Sequence, residues 1–84
     1  MALSRKEIEK KVIEVLVEKS GMDIEKIDLE SSLIEDLGMD SLDAIEAVFQ
    51  FEEQYGLEIA DEEIQKFEVV EDIVDYIEKM LNQA

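Results

Sequence analysis

The chain has no histidine, no cysteine, no proline and no tryptophan, and only three glycines among its 84 residues. Without cysteine there are no disulfides, no thiolate nucleophile and no sulfur-liganded metal. Without histidine the commonest neutral metal ligand and general base are missing too. Most catalytic classes thereby lose their usual side chains. The lack of proline and scarcity of glycine suit a compact helical fold. Positive charge is also scarce: 8 Lys and Arg against 24 Asp and Glu leave a net charge of −16. That balance repels nucleic acid and anionic membrane surfaces, and makes basic proteins the natural partners. No apolar run approaches the roughly 18 residues that span a bilayer, and "MALSRKEIEK" becomes charged too early for a signal peptide. A soluble cytoplasmic monomer is expected, with no nucleic-acid partner and no stable membrane insertion.

With 46% hydrophobic residues, a chain of 84 residues can build one small core, so residues 1–84 are read as a single domain. Acidity alone could signal disorder, but the apolar residues recur at helical spacing. In "LSRKEIEKKVIEVLVEKSG", Ser4 and Glu7 have capping-box spacing and Leu3 and Ile8 that of a hydrophobic staple. A first helix should run from Arg5 to about Ser20, burying Ile8, Val12, Val15 and Leu16 and stopping at Gly21. Residues 22–38 read as a long loop anchored by Ile24, Ile27, Leu29, Leu33 and Leu37, with one helical turn in "SSLIEDLG" capped by Ser31 or Ser32.

The second helix is predicted from Ser41 to Tyr55, with Asp40 as N-cap, Asp43 at the third helical position and a Schellman-type end at Gly56 and Leu57. Leu42, Ile45, Val48, Phe51 and Tyr55 are assigned to its inward stripe. Asp43, Glu46, Gln50, Glu53 and Gln54 are assigned to water. A short third helix around Glu62 to Lys66 and a fourth from Val70 to Leu81 complete the pattern. No segment alternates with period two. The predicted class is all-α: a small four-helix bundle with a long first loop and a short third helix.

Ser41 raises a chemical question. A nucleophilic serine needs a base within reach, and Lys26 and Lys66, the nearest lysines on either side in sequence, both lie well outside the stretch around it. At the first turn of a helix, its surroundings instead favour an anion such as a phosphate ester. The plain alternative is a capping residue.

The ordered series "SSLIEDLG", Asp40-Ser41-Leu42-Asp43, "GLEIADEE" and "EDIVDYI" resembles the acyl carrier protein family over nearly the whole chain. The resemblance implies a non-catalytic carrier. Ser41, flanked by Asp40 and Leu42, would hold a 4′-phosphopantetheine arm, attached from coenzyme A by a phosphopantetheinyl transferase that uses a divalent metal. Acyl groups would ride on the arm as thioesters for fatty acid or related specialised acyl and polyketide synthesis. Acyl-loading and acyl-synthesis enzymes would dock basic patches on Asp36, Asp43, Glu46, Glu52 and Glu53. Val48, Phe51, Ile59, Ile64 and Phe67 match an acyl-pocket lining between the second, third and fourth helices.

Several residues depart from the family's pattern. Phe49 and Phe51 are bulky, and would narrow such a pocket. Ala60 stands for a common Pro, and Val69 for a Thr or Ser cap. A carrier of aminoacyl or D-alanyl groups is an alternative. So is an unmodified acidic interaction module or weak ion binder using Asp36, Asp40 and Asp43, although no calcium-hand loop is present. A Ser–Lys hydrolase would require a lysine folded against Ser41.

Overall fold

A computed structural model describes residues 4–82. Four α-helices follow one another, α1 (Arg5–Ser20), α2 (Ser41–Tyr55), α3 (Asp61–Lys66) and α4 (Val70–Leu81), with a 3-10 turn at Ile24–Lys26. The all-α bundle with its long first loop and short third helix is thus the observed architecture. Among the described residues there is no strand, and one isolated antiparallel bridge joins Ser32 to Val69.

The ends of α1 follow from its flanking residues. Ser4 Oγ accepts the Glu7 N–H at 3.2 Å, and Gly21 takes the left-handed conformation (φ 74°) that lets its own N–H reach the Val17 carbonyl. The helix buries Ile8, Val12, Val15 and Leu16. The staple residue Leu3 lies outside the described residues. Arg5, the only arginine, sits in the first turn and ties α1 to α4. Its guanidinium meets Glu9 at 3.2 Å, Glu71 at 3.2 Å, Asp75 at 2.8 Å and Glu78 at 3.1 Å. One cation on α1 thus offsets repulsion among the carboxylates of α4, an acidic helix whose one lysine is Lys79.

In the loop, Ile27, Leu33, Leu37 and Met39 are buried and Leu29 is partly so. Ile24 departs from its anchoring assignment. It opens the 3-10 turn, a single turn that buries nothing, and is 54% exposed. The turn in "SSLIEDLG" is capped by Ser32, whose Oγ accepts the Glu35 N–H while the Asp36 carboxylate accepts the Ser32 N–H at 2.7 Å.

The loop then fastens to α4. The first N–H groups of a helix have no partner inside it, and Val69, at the N-cap, has no side-chain acceptor. Loop carbonyls take their place: Val70 N–H donates to Ser31 O at 3.1 Å and Glu71 N–H to Leu29 O at 2.9 Å, while Leu33 N–H donates to Glu68 O at 3.0 Å. The Asp72 carboxylate accepts the N–H groups of Glu68 and Val69.

The inward stripe of α2 differs from the predicted one. Ala47, Val48 and Phe51 are buried and Tyr55 is half-buried, but Leu42 is 62% exposed and Ile45 37%. The reason is angular. Each step of three residues falls about 60° short of a full turn, so after three such steps Leu42 and Phe51 lie about 180° apart. The true stripe is Ala47, Val48 and Phe51, with Tyr55 packed against the core, and in it the small alanine is easily overlooked. In α4, Val70, Ile73, Val74 and Ile77 are buried, whereas Leu81, at the last helical position, is only partly covered.

Val69 is extended and half-buried and caps α4 with its carbonyl alone, which accepts the Asp72 N–H at 3.1 Å; a hydroxyl would offer that N–H a second, side-chain acceptor, so Val69→Thr should stabilise the fold by about 0.5 kcal/mol. Equilibrium denaturation checks this. A loss would mean that the valine methyl packs against the loop more usefully than a hydroxyl caps.

Candidate functional site

The chain has five serines. Four have hydroxyls that accept a nearby backbone N–H: Ser4 from Glu7, Ser20 from Met22, Ser31 from Asp28 and Ser32 from Glu35. The cap at the head of α2 is instead supplied by Asp40. Its Oδ1 accepts the Asp43 N–H at 2.8 Å, and Asp43 Oδ2 accepts the Asp40 N–H at 3.3 Å. Ser41, one place further on, is exposed and spared the capping role. The chain reaches it through the left-handed turn at Gly38 (φ 68°) and then Met39, which is 2% exposed and whose N–H donates to Leu33 O.

Beside Ser41 lies a cavity of about 380 Å³, within the range of small-ligand sites. The loop contributes Leu33, Ile34 and Met39, the head of α2 contributes Asp40, Ser41, Ala44 and Ile45, and the α3 side contributes Asp61, Ile64, Gln65 and Phe67. No residue of α4 lines it. Of the five pocket residues named from the sequence, Ile64 and Phe67 stand on its wall. Val48 and Phe51 are closed inside the core at 2% and 0% exposure. Ile59 lines a separate, more open recess of about 700 Å³ toward the C-terminal end of α2, with Phe49, Glu52, Glu53 and Leu57. Phe49 is 58% exposed, so neither it nor Phe51 narrows the cavity beside Ser41. Ala44 and Ile45 were legible in principle, since positions three and four beyond Ser41 share its side of the helix.

The acidic residues divide into two sets. Glu46 and Glu53 are exposed, and with Leu42 and Phe49 they form one stripe, apolar and acidic in turn. The others are engaged in the fold: Asp36 on Ser32, Asp40 and Asp43 on each other's backbone, and Glu52 on the Ile59 N–H at 2.8 Å. Asp36, Asp40 and Asp43 form no ligand set, since among the described residues no three acidic side chains converge as a metal site would require. Nor does any lysine line the cavity. Lys66 pairs with Glu63 at 3.5 Å, so Ser41 has no base beside it there.

An exposed serine with no base in the cavity beside it is suited to being modified rather than to attacking. Comparison with known proteins gives this a family. Residues 10–77 match the family described as "phosphopantetheine attachment site". Three curated relatives are each named acyl carrier protein. That of Akkermansia muciniphila is 44% identical over 78 residues, covering 93% of this chain and 98% of the relative. That of Bdellovibrio bacteriovorus is 46% identical over 72 residues, covering 86% and 92%, and that of Thermotoga maritima 45% over 78 residues, covering 93% and 96%. The chain belongs to the acyl carrier protein family. It is accordingly a carrier and not an enzyme, and its covalent group is 4′-phosphopantetheine.

The capping box predicts how the head of α2 responds to substitution. Asp40→Ala removes the acceptor for the Asp43 N–H and should cost about 1 kcal/mol, whereas Asp40→Asn keeps an acceptor and should cost only a fraction of that. Denaturation of the two variants side by side is the check. Equal losses would assign the effect to charge rather than to the cap.

Proposed function

We propose that Ser41 is the attachment point of the phosphopantetheine arm and that the chain delivers acyl intermediates for fatty acid synthesis or a related specialised acyl or polyketide synthesis, as a cytoplasmic monomer. The observation that carries this reading is the placement of the one serine whose hydroxyl holds no backbone N–H, at an exposed helix head and on the lip of a largely apolar cavity. When bound, the group supplies a terminal thiol that holds an acyl chain as a thioester. The residues present fit such a group. Asp40 and Leu42 flank the attachment oxygen without covering it. Leu33, Met39, Ala44, Ile64 and Phe67 offer the acyl chain an apolar refuge from water, worth about 25 cal/mol per Å² buried.

A phosphopantetheinyl transferase would join the Ser41 oxygen to the phosphate of the arm and release the nucleotide half of coenzyme A. Acyl-loading and acyl-synthesis enzymes would then dock on the stripe of α2, their basic patches meeting Glu46 and Glu53 with Asp36 and Asp43 at the edge, and their apolar residues meeting Leu42 and Phe49. Such pairing raises association rates and weakens as salt rises. No helix among the described residues is long and apolar enough to cross a membrane.

Intact-mass measurement before and after incubation with a broad-specificity transferase and coenzyme A tests attachment. Wild type should gain one arm and Ser41→Ala none. A folded wild type that gains nothing, or a Ser41→Ala variant that gains the arm, contradicts the reading. The docking stripe is tested by Glu46→Lys with Glu53→Lys, which moves the net charge from −16 to −12. Glu14→Lys with Glu18→Lys on α1 changes the charge equally. Arm attachment and acyl loading should slow at least several-fold in the first double variant and much less in the second. Equal slowing would leave only general electrostatic attraction.

A further inference from the structure

The turn between α2 and α3 converges on Glu52. Its carbonyl oxygen accepts the N–H of Gly56 and, at 3.2 Å, that of Leu57. Its carboxylate reaches seven residues along the chain to accept the Ile59 N–H at 2.8 Å. Ile59 is only 6% exposed, so if the carboxylate withdrew this N–H would lose its partner and could regain one only by admitting water from the recess beside it.

α3 depends on such outside help. It has six residues, none of them buried, and no side-chain cap at Ala60. A helix that short is not stable by itself. It packs chiefly on α2 and is bracketed by two anchors. At its start is Ile59, held by Glu52. At its end is Phe67, whose ring meets Tyr76 edge-on with centroids 5.7 Å apart. Between these anchors α3 supplies Asp61, Ile64 and Gln65 to the wall of the cavity beside Ser41.

We propose that Glu52 is a positioning residue: by holding the Ile59 N–H it fixes the start of α3, and with it the width of the cavity that receives the acyl chain. Its carboxylate is thus committed inward, and its part in selecting cargo is separate from the docking charge of Glu46 and Glu53. The link to cargo rests on the proposed attachment at Ser41; the hold on α3 does not.

Two substitutions separate the acceptor from the charge. Glu52→Gln keeps an oxygen at the same reach and loses the charge, whereas Glu52→Asp keeps the charge and draws the oxygen back by one methylene. Amide hydrogen exchange on the unmodified chain is the first readout. Glu52→Asp should speed exchange at Ile59 and through residues 61–66 by roughly tenfold, as expected for a lost bond to a charged acceptor. α1 and α4 should be unchanged, and Glu52→Gln should match wild type. Exchange in Glu52→Asp equal to wild type, or Glu52→Gln as loosened as Glu52→Asp, would overturn the proposal.

The second readout loads each variant with an octanoyl arm and measures cleavage of the thioester by hydroxylamine. Faster cleavage in Glu52→Asp alone supports control of the cavity, and equal cleavage in all three overturns that part. If no variant accepts the arm, attachment at Ser41 is what has failed, and the exchange result still decides the role of Glu52.

Discussion

The head of α2 is placed by the loop that leads into it, and that loop is held by three backbone hydrogen bonds to the start of α4. The arrangement meets two needs together. The N–H groups of Val70 and Glu71 follow a residue, Val69, that has no side-chain acceptor, and the carbonyls of Leu29 and Ser31 have no strand or helix of their own to join. Pairing them removes both deficits and ties a loop of some twenty residues to the frame. Leu33 then donates to Glu68 and accepts from Met39. From Met39 the chain runs through Asp40, already locked to Asp43, into Ser41. The serine side chain is exposed, while its backbone is braced through the loop to α4.

The acidic residues of the chain fall into distinct sets. Asp36, Asp40, Asp43, Glu52 and Asp72 each accept a backbone N–H that would otherwise lack a partner at a helix end or turn. Such carboxylates belong to the fold as much as the apolar residues do. Around Arg5, four further carboxylates share one cation between α1 and α4. Glu46 and Glu53 differ from both groups. They stand on an exposed stripe of a helix with no basic residue in its last turn, beside the bare side chains of Leu42 and Phe49. Repulsion left uncompensated there is a cost to a small fold, and a basic partner is what would relieve it.

Much of this was legible from the residues alone. The capping pairs Ser4 with Glu7 and Asp40 with Asp43, and the glycines at 21 and 56, mark helix ends by local chemistry, and those boundaries match. What was not legible depends on contacts far apart in sequence. Nothing in "SSLIEDLG" announces that its backbone will cap α4, because backbone groups carry no sequence signal. The stripe of α2 was misplaced at Leu42 and Ile45 because three-residue steps drift around a helix, and because Ala47 does not look like core. The cavity could be only partly anticipated. Ile64 and Phe67 share its wall, but Val48 and Phe51 fill the space between α1, α2 and α4 instead.

The tie between loop and α4 is tested most directly by native-state hydrogen exchange across a series of low denaturant concentrations. If it braces the head of α2, the amides of Leu33, Val70 and Glu71 should exchange only through global unfolding, with the same free energy as core amides such as Leu16 and Phe51. Exchange of those three through a local opening that leaves the core amides protected would contradict the account, since the loop would then part from α4 while the bundle stayed folded.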